Sequence, residues 1–437
     1  MNRPALLAAL LAIASLAAAP ATPTAKDLAD RARSAYRDAK YEEAYRLFSE
    51  AVGREPSNWR YRYNLAFAAT KTKRFGEAAA ALSWVVGRGI DLDTETVPDL
   101  APLRAVPEYA PVRRALGALS KMRGPNPARP GFTLPERDLL TEGIAFDPAT
   151  GDFFVSSVHR RKILRRRSGG AVDDFVGEAA GGSWGVLALR VDPERRVLWA
   201  ATAALPQMLG FEASLEGKSR VDAYDLGTGK RVRRVGLPGP GPHAANDLAL
   251  DRSGRVFVSD SVGSAIYRIA PGSAEAEILV PPKTFASPQG MALDGDGTHL
   301  YVADYGRGVF RVELATGRAE ELPAPPDAFL LGIDGLDRDG DALLVTQNLA
   351  HPDRVSRLYL APAGDRIVRS EVLELNDPRL AEPTLGVVAR GSFWFVAASQ
   401  WSRFDEKTGL VDRKALRVPT ILELPLARPR SPVPATK

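Results

Sequence analysis

Two hydrophobic patterns divide the chain. From about residue 25 to 122, apolar and small residues recur at helical spacing; from about residue 132 to 427 they fall into short runs closed by Gly- or Asp-containing turns. The second pattern is a repeated cassette. Glu142-Gly143-Ile144-Ala145-Phe146 leads to Phe153-Phe154-Val155-Ser156, Asn246-Asp247-Leu248-Ala249-Leu250 to Val256-Phe257-Val258-Ser259, Gln289-Gly290-Met291-Ala292-Leu293 to Leu300-Tyr301-Val302-Ala303, and Asp334-Gly335-Leu336 to Leu343-Leu344-Val345-Thr346. Two further copies begin at Trp184-Gly185-Val186 and Leu385-Gly386-Val387. Six copies spaced about 43 to 60 residues apart suit four strands per unit and predict a six-bladed β-propeller. Equivalent positions of successive blades face one axis. Glu142, Asn246, Gln289 and Asp334 are therefore expected to converge, although they lie far apart in sequence.

The helical pattern is itself repeated. Ala32, Tyr41, Ala44 and Phe48 match Ala66, Phe75, Ala78 and Leu82 at an offset of 34, and Pro56 ends the first unit. This spacing resembles the tetratricopeptide repeat, whose small Ala positions let paired helices approach closely. A third helical stretch, from Leu100 to Lys121, would cap the array. The fold class expected is thus multidomain: a short tetratricopeptide-like solenoid over 25–122, a Pro/Gly linker over 123–131, and the propeller over 132–427. An insertion near residues 203–220, in the longest gap between copies, is expected to cover a binding face. The Pro-rich tail, 428–437, reads as disordered.

Composition adds a compartment. Arg3, the apolar stretch Ala5–Leu16 and Ala17-Ala18-Ala19 read as a cleaved signal peptide over 1–19, too short for a membrane span. The chain has no Cys, which excludes disulfides, thiolate metal sites and thiol catalysis, and suits a periplasmic or secreted bacterial protein. The net charge of +5 is dispersed. Its densest run, Arg160-Arg161-Lys162 with Arg165-Arg166-Arg167, comes without a groove-reading element, so no nucleic-acid partner is expected.

The four polar blade starts carry the candidate chemistry. Hard divalent cations take carboxylate and amide oxygens; Glu142 and Asp334 supply the charge, Asn246 and Gln289 neutral oxygens. No His stands at a matching position, which disfavours a His-based zinc site. The same residues can instead hydrogen-bond strand ends around a channel. Glu142-Gly143, Asn246-Asp247, Gln289-Gly290 and Asp334-Gly335, each opening a propeller strand, resemble the senescence-marker-protein/gluconolactonase/luciferin-regenerating-enzyme (regucalcin-like) family over most of residues 135–427. The resemblance implies a divalent cation on the axis, calcium foremost and zinc, magnesium or manganese as alternatives. Glu142 and Asp334 match the family's acidic ligands, and Asn246 matches the Asn that meets substrate or water. Gln289 stands where the family has Asn, with an amide about one methylene further out. The activity implied by the resemblance is that of an exported hydrolase of lactones or sugar lactones, with Asp334 and Asn246 as catalytic residues.

The alternative is a non-catalytic propeller that binds a sugar-like ligand or a protein, with the helical repeats recruiting a protein partner or docking on the propeller. His159, His243, Asn348, Gln400 and Trp401 are candidates for the pocket rim, as polar groups that hold a ligand or a general base. Surface-loop or blade-packing roles are open to each. Asp294-Gly295-Asp296-Gly297 and Asp337-Arg338-Asp339-Gly340-Asp341 read as hairpin turns, since neither completes a calcium loop. There is no Gly-x-Ser-x-Gly elbow for a serine hydrolase.

Overall fold

The computed structural model describes residues 23–426 except 406 and 410. The expected leader, 1–19, and tail, 428–437, lie outside the described residues. Six four-stranded antiparallel sheets form six blades. Blade one is β2 (Ile144–Asp147), β3 (Asp152–Ser157), β4 (Lys162–Arg166) and β5 (Val172–Val176). Blade two runs from β6 (Gly185–Asp192) to β9 (Arg231–Gly236), blade three from β10 (Ala245–Leu250) to β13 (Glu277–Val280), blade four from β14 (Pro288–Leu293) to β17 (Ala319–Glu321), and blade five from β18 (Ile333–Asp339) to β21 (Ile367–Leu375). Blade six joins β22 (Gly386–Ala389), β23 (Ser392–Val396) and β24 (Thr420–Pro425) to β1 (Arg129–Thr133). This last pairing closes the ring with a strand from before blade one, so residues 129–131, whose composition suggests a linker, belong to the propeller.

The core is not one centre but a set of wedges between neighbouring sheets. Leu164 and Phe153 of blade one meet Trp394 and Ile421 of blade six; Trp199 and Val221 of blade two meet Leu248 and Tyr267 of blade three; Leu343 and Leu358 of blade five meet Tyr301 and Ala303 of blade four. Each fully buried large side chain contributes about 1.5–3 kcal/mol. Burying both faces of each middle strand explains the near-continuous apolar runs of β3, β11 (Val256–Asp260) and β15 (His299–Asp304).

Two helix pairs open the helical region: α1 (Ala25–Arg37) with α2 (Tyr41–Arg54), and α3 (Trp59–Lys71) with α4 (Phe75–Val86). Thr24 and Asp27 form a capping box at α1, and the Asn58 side chain caps α3. The repeated Ala32, Ala44, Ala66 and Ala78 are fully buried, as close helix packing requires. The expected third stretch is broken. Pro98, Pro102, Pro107 and Pro111 cut it into short turns and one ten-residue helix, Ala110–Leu119. No helix among the described residues is long and apolar enough to cross a membrane.

The helical array docks on the propeller face where the inner strands begin. The Trp59 indole donates to the Ala328 carbonyl at 3.1 Å and packs on Phe329 at 5.0 Å between ring centroids. Asp91 and His351 exchange backbone hydrogen bonds of 3.0 and 2.8 Å. Arg354 donates to the Gly89 carbonyl, and the Asn376 amide to those of Leu119, Ser120 and Met122. The 123–131 segment is pinned as well: Gly124 and Asn126 donate to the carbonyls of Leu375 and Leu373 on β21.

Candidate functional site on the propeller axis

Three of the four polar blade starts sit in a distortion of the inner strand; Glu142 instead lies just before β2, which pairs with β3 in unbroken register. In blades three, four and five the register slips between Ala245 and Leu248, Pro288 and Met291, and Ile333 and Leu336. These bulges re-aim Asn246, Gln289 and Asp334 out of strict alternation, toward the axis. The glycine that follows Gln289 and Asp334 is needed for close approach of the strands, whereas Asp247 follows Asn246. A Cβ on Gly290 would lie 2.4 Å from the Leu336 nitrogen, and one on Gly335 2.6 Å from the Thr384 carbonyl oxygen, so only glycine lets neighbouring inner strands approach this closely. A hydroxyl on the second strand completes the joint. Ser156 accepts from Gly143 N–H at 2.7 Å and donates to the Leu187 carbonyl at 3.0 Å; Thr346 accepts from Gly335 N–H at 2.8 Å and donates to the Thr384 carbonyl at 2.6 Å.

Glu142 and Asp334 belong to blades that are not neighbours, yet their carboxyls interact electrostatically across Thr384 of blade six. Both are nearly inaccessible, at 4% and 8% exposure. Burial first, then the facing Asp334 carboxylate, pushes Glu142 well above the usual carboxylate range, while bonds from Trp401 and Thr384 pull the other way. Burial, opposed by the Asn348 amide and reinforced by Asp247 and Glu382, pushes Asp334 up to about 6. Each carboxylate has one oxygen fixed by a side chain. The Trp401 indole donates to Glu142 Oε2 at 2.9 Å, and the Asn348 amide donates to Asp334 Oδ2 at 2.7 Å. Asn348 is in turn held by the Tyr305 hydroxyl, which donates to its Oδ1 at 2.7 Å.

Asn246 and Gln289 pair with each other. Asn246 Nδ2 donates to Gln289 Oε1 at 2.6 Å, and Gln289 Nε2 donates to the Ser287 hydroxyl at 2.9 Å. The longer side chain thus spends its oxygen on its neighbour, leaving Asn246 Oδ1 without a bond among the described residues. As a donor set for a divalent cation, Glu142, Asp334 and Asn246 fit: two buried, mutually repelling carboxylates and one open amide oxygen. Gln289 in this arrangement orients Asn246. Among the described residues no group of three or more His, Asp or Glu side chains is disposed to hold a metal.

Beneath this ring lies a second charged layer that no pattern in the sequence marks. Arg190 of β6 donates to the Leu248 carbonyl at 2.7 Å and to Asp247 and the Gly386 carbonyl at 3.4 Å each, and stands 3.8 Å from Asp337. Asp247 and Asp337 hold its guanidinium charged despite burial.

The rim candidates divide. A cavity of about 600 Å³ beside the ring is lined by Tyr305, Asn348, Glu382, Gln400, Ser402, Arg403 and Arg417 of the propeller, with Asp93 from the helical region. Asn348 and Trp401 touch the ring itself. Gln400 lines the cavity, but both ends of its amide are bonded to the Arg417 backbone, which makes it a loop clamp. His159 is 3% exposed, its Nδ1 bonded to the Gln207 carbonyl at 2.6 Å; burial lowers its pKa, so it stays neutral. Gln207 lies in the 203–220 insertion, which packs against the 401–416 loop of blade six on this same face. His243 Nδ1 donates to Asp260 at 2.6 Å. Asp260 also accepts the Ala244 and Gly263 N–H groups, the duty that Asp304 performs for Ala286 and Gly306 one blade on, so it is a structural element of the repeat. Neither histidine lines the cavity. Tyr305, Glu382 and Arg403 escape sequence reasoning because they lie in loops between repeat strands, where no periodicity marks them. Trp184, which opens the second copy, stacks under Arg220 at 3.7 Å instead of meeting the ring.

Comparison with protein-family models and with curated protein sequences finds no match. Among solved structures, the chain is similar to a calcium-binding regucalcin from Agrobacterium tumefaciens (19% identity, TM-score 0.46, 70% of this chain and 97% of that one). It is also similar to a gluconolactonase from Xanthomonas campestris (14%, 0.45, 70% and 97%) and to a virginiamycin B lyase from Staphylococcus aureus (17%, 0.46, 69% and 99%). At these levels the likeness selects no chemistry.

Proposed function

We propose that the protein is an exported, divalent-cation-dependent hydrolase of lactones or related cyclic esters, with Glu142, Asp334 and Asn246 as the cation's protein ligands. The observation that carries this reading is the meeting of two buried carboxylates from non-neighbouring blades beside a polar cavity, with no basic side chain bonded to either among the described residues. A dication bound there would supply Lewis acidity toward a carbonyl oxygen and balance the two charges. The protein's residues do the rest. Trp401 and Asn348 fix one oxygen of each carboxylate, and Tyr305 fixes Asn348. Asp334 Oδ1, which accepts no bond among the described residues, takes the proton of the attacking water. As water oxygen bonds to the carbonyl carbon and the ring C–O bond breaks, that proton passes to the departing alkoxide. The cavity lining of hydroxyl, amide, carboxylate, imidazole and guanidinium groups, with Leu349, Ala381 and Ala415 as its apolar members, suits a hydroxyl-rich substrate such as a sugar lactone. Calcium is the cation that an all-oxygen set favours.

One observation favours a non-catalytic binding role instead: the mutual Asn246–Gln289 amide pair leaves a ring one oxygen short of the four that the sequence offers. Turnover separates the two. Purified protein should open aldonolactones in calcium, lose that activity to chelator, and lose at least about 10²-fold in Glu142→Gln and Asp334→Asn. Undiminished turnover in both variants would remove the ring from the mechanism.

A further inference from the structure

We propose that Arg190 is a built-in cation of the propeller axis: it stands in place of a second dication beneath the ring and so limits the axis to one exogenous ion. That number, though not Arg190's role, rests on the function proposed above.

Arg190 starts from blade two, and Asp337 belongs to blade five, on the opposite side of a six-membered ring. A side chain that stands 3.8 Å from Asp337 while bonding blade three at Leu248 and blade six at Gly386 must cross the axis. It meets two carboxylates there. Asp247 Oδ2 accepts Met291 N–H at 2.8 Å and faces Arg190; Asp337 Oδ2 accepts Val388 N–H at 2.9 Å. Asp247 is 1% exposed, and its Oδ1 is buried with no partner among the described residues. Two carboxylates, an unsatisfied buried oxygen, and backbone carbonyls of Leu248 and Gly386 turned to the same point form a hard-oxygen set. Arg190 already fills it, and a planar guanidinium with five donors can serve several acceptors at once. Removing the guanidinium should therefore open a latent site for a dication.

The test is the number of divalent ions held by the full chain, with calcium and magnesium as probes, read by native mass spectrometry and by titration calorimetry. Wild type and Arg190→Lys should each hold one ion. Arg190→Met should hold one more than wild type, and Arg190→Met/Asp247→Asn should return to the wild-type number. A folded Arg190→Met protein with the wild-type number would overturn the proposal. If Arg190→Met folds only when millimolar calcium is present, the ion is replacing the guanidinium and the proposal stands; if it folds with neither, the proposal falls. A wild type that holds no ion beside an Arg190→Met protein that holds one would keep Arg190's role while removing the functional reading of the upper ring.

Discussion

Asp334 and Asp337 lie three residues apart on one strand, and only the deeper of them meets a cation supplied by the protein. Asp337 and Asp247 share Arg190, whereas Asp334 faces another carboxylate, Glu142. Both layers are buried and both are tied to neighbouring blades by hydrogen bonds, so the difference is one of charge balance. A folded chain tolerates buried carboxylates when it brings its own countercharge or when one arrives from outside. The lower layer takes the first route. The upper ring, open to the cavity at Asn348, is left for the second.

Removing the lower countercharge should produce the largest change. Without added dication, Arg190→Met should lose about 3–5 kcal/mol of stability near neutral pH, measured by urea unfolding, because two carboxylates remain buried without their partner. The upper ring should respond to pH instead. Asp334 titrates at about 6 in the folded ion-free protein against 3.8 unfolded. The folded state therefore binds more protons across that interval. This group's stabilisation is complete below pH 3.8 and is lost as pH rises through about 6, a change on the order of 3 kcal/mol. Asp334→Asn should make the profile shallower in thermal melts, leaving the part that burial of Glu142 contributes, and saturating calcium should abolish both.

Smaller changes probe the groups that hold the ring. Trp401→Phe frees Glu142 Oε2 and should weaken calcium affinity about 10-fold, by calorimetric titration. Gln289→Asn shortens the arm that Asn246 leans on and should cost about 1 kcal/mol in chemical unfolding, with little effect on ion number.

The blade count and the polar blade starts are legible in the sequence because β-strands with both faces buried repeat as apolar runs, and because a glycine follows the polar residue in blades one, four and five. The helical repeat is legible through Ala32, Ala44, Ala66 and Ala78, which are all fully buried. Partnership is not legible. That Gln289 gives its oxygen to Asn246, or that Trp401 reaches Glu142 across 259 residues, depends on loop paths that carry no period. Arg190 is hidden for a related reason. It sits inside the apolar run from Val186 to Val191, and only the closed ring shows that its end lies among three other blades. The ring closure itself is only partly visible, since the pairing of β1 with β24 draws on residues whose prolines and glycine suggest a linker.

The most direct test is the metal content of the purified protein by elemental analysis, wild type beside Glu142→Ala/Asp334→Ala. The account predicts one calcium-like ion per chain in wild type and none in the double variant. No ion in wild type after calcium has been supplied, or an ion retained in the double variant, would contradict it.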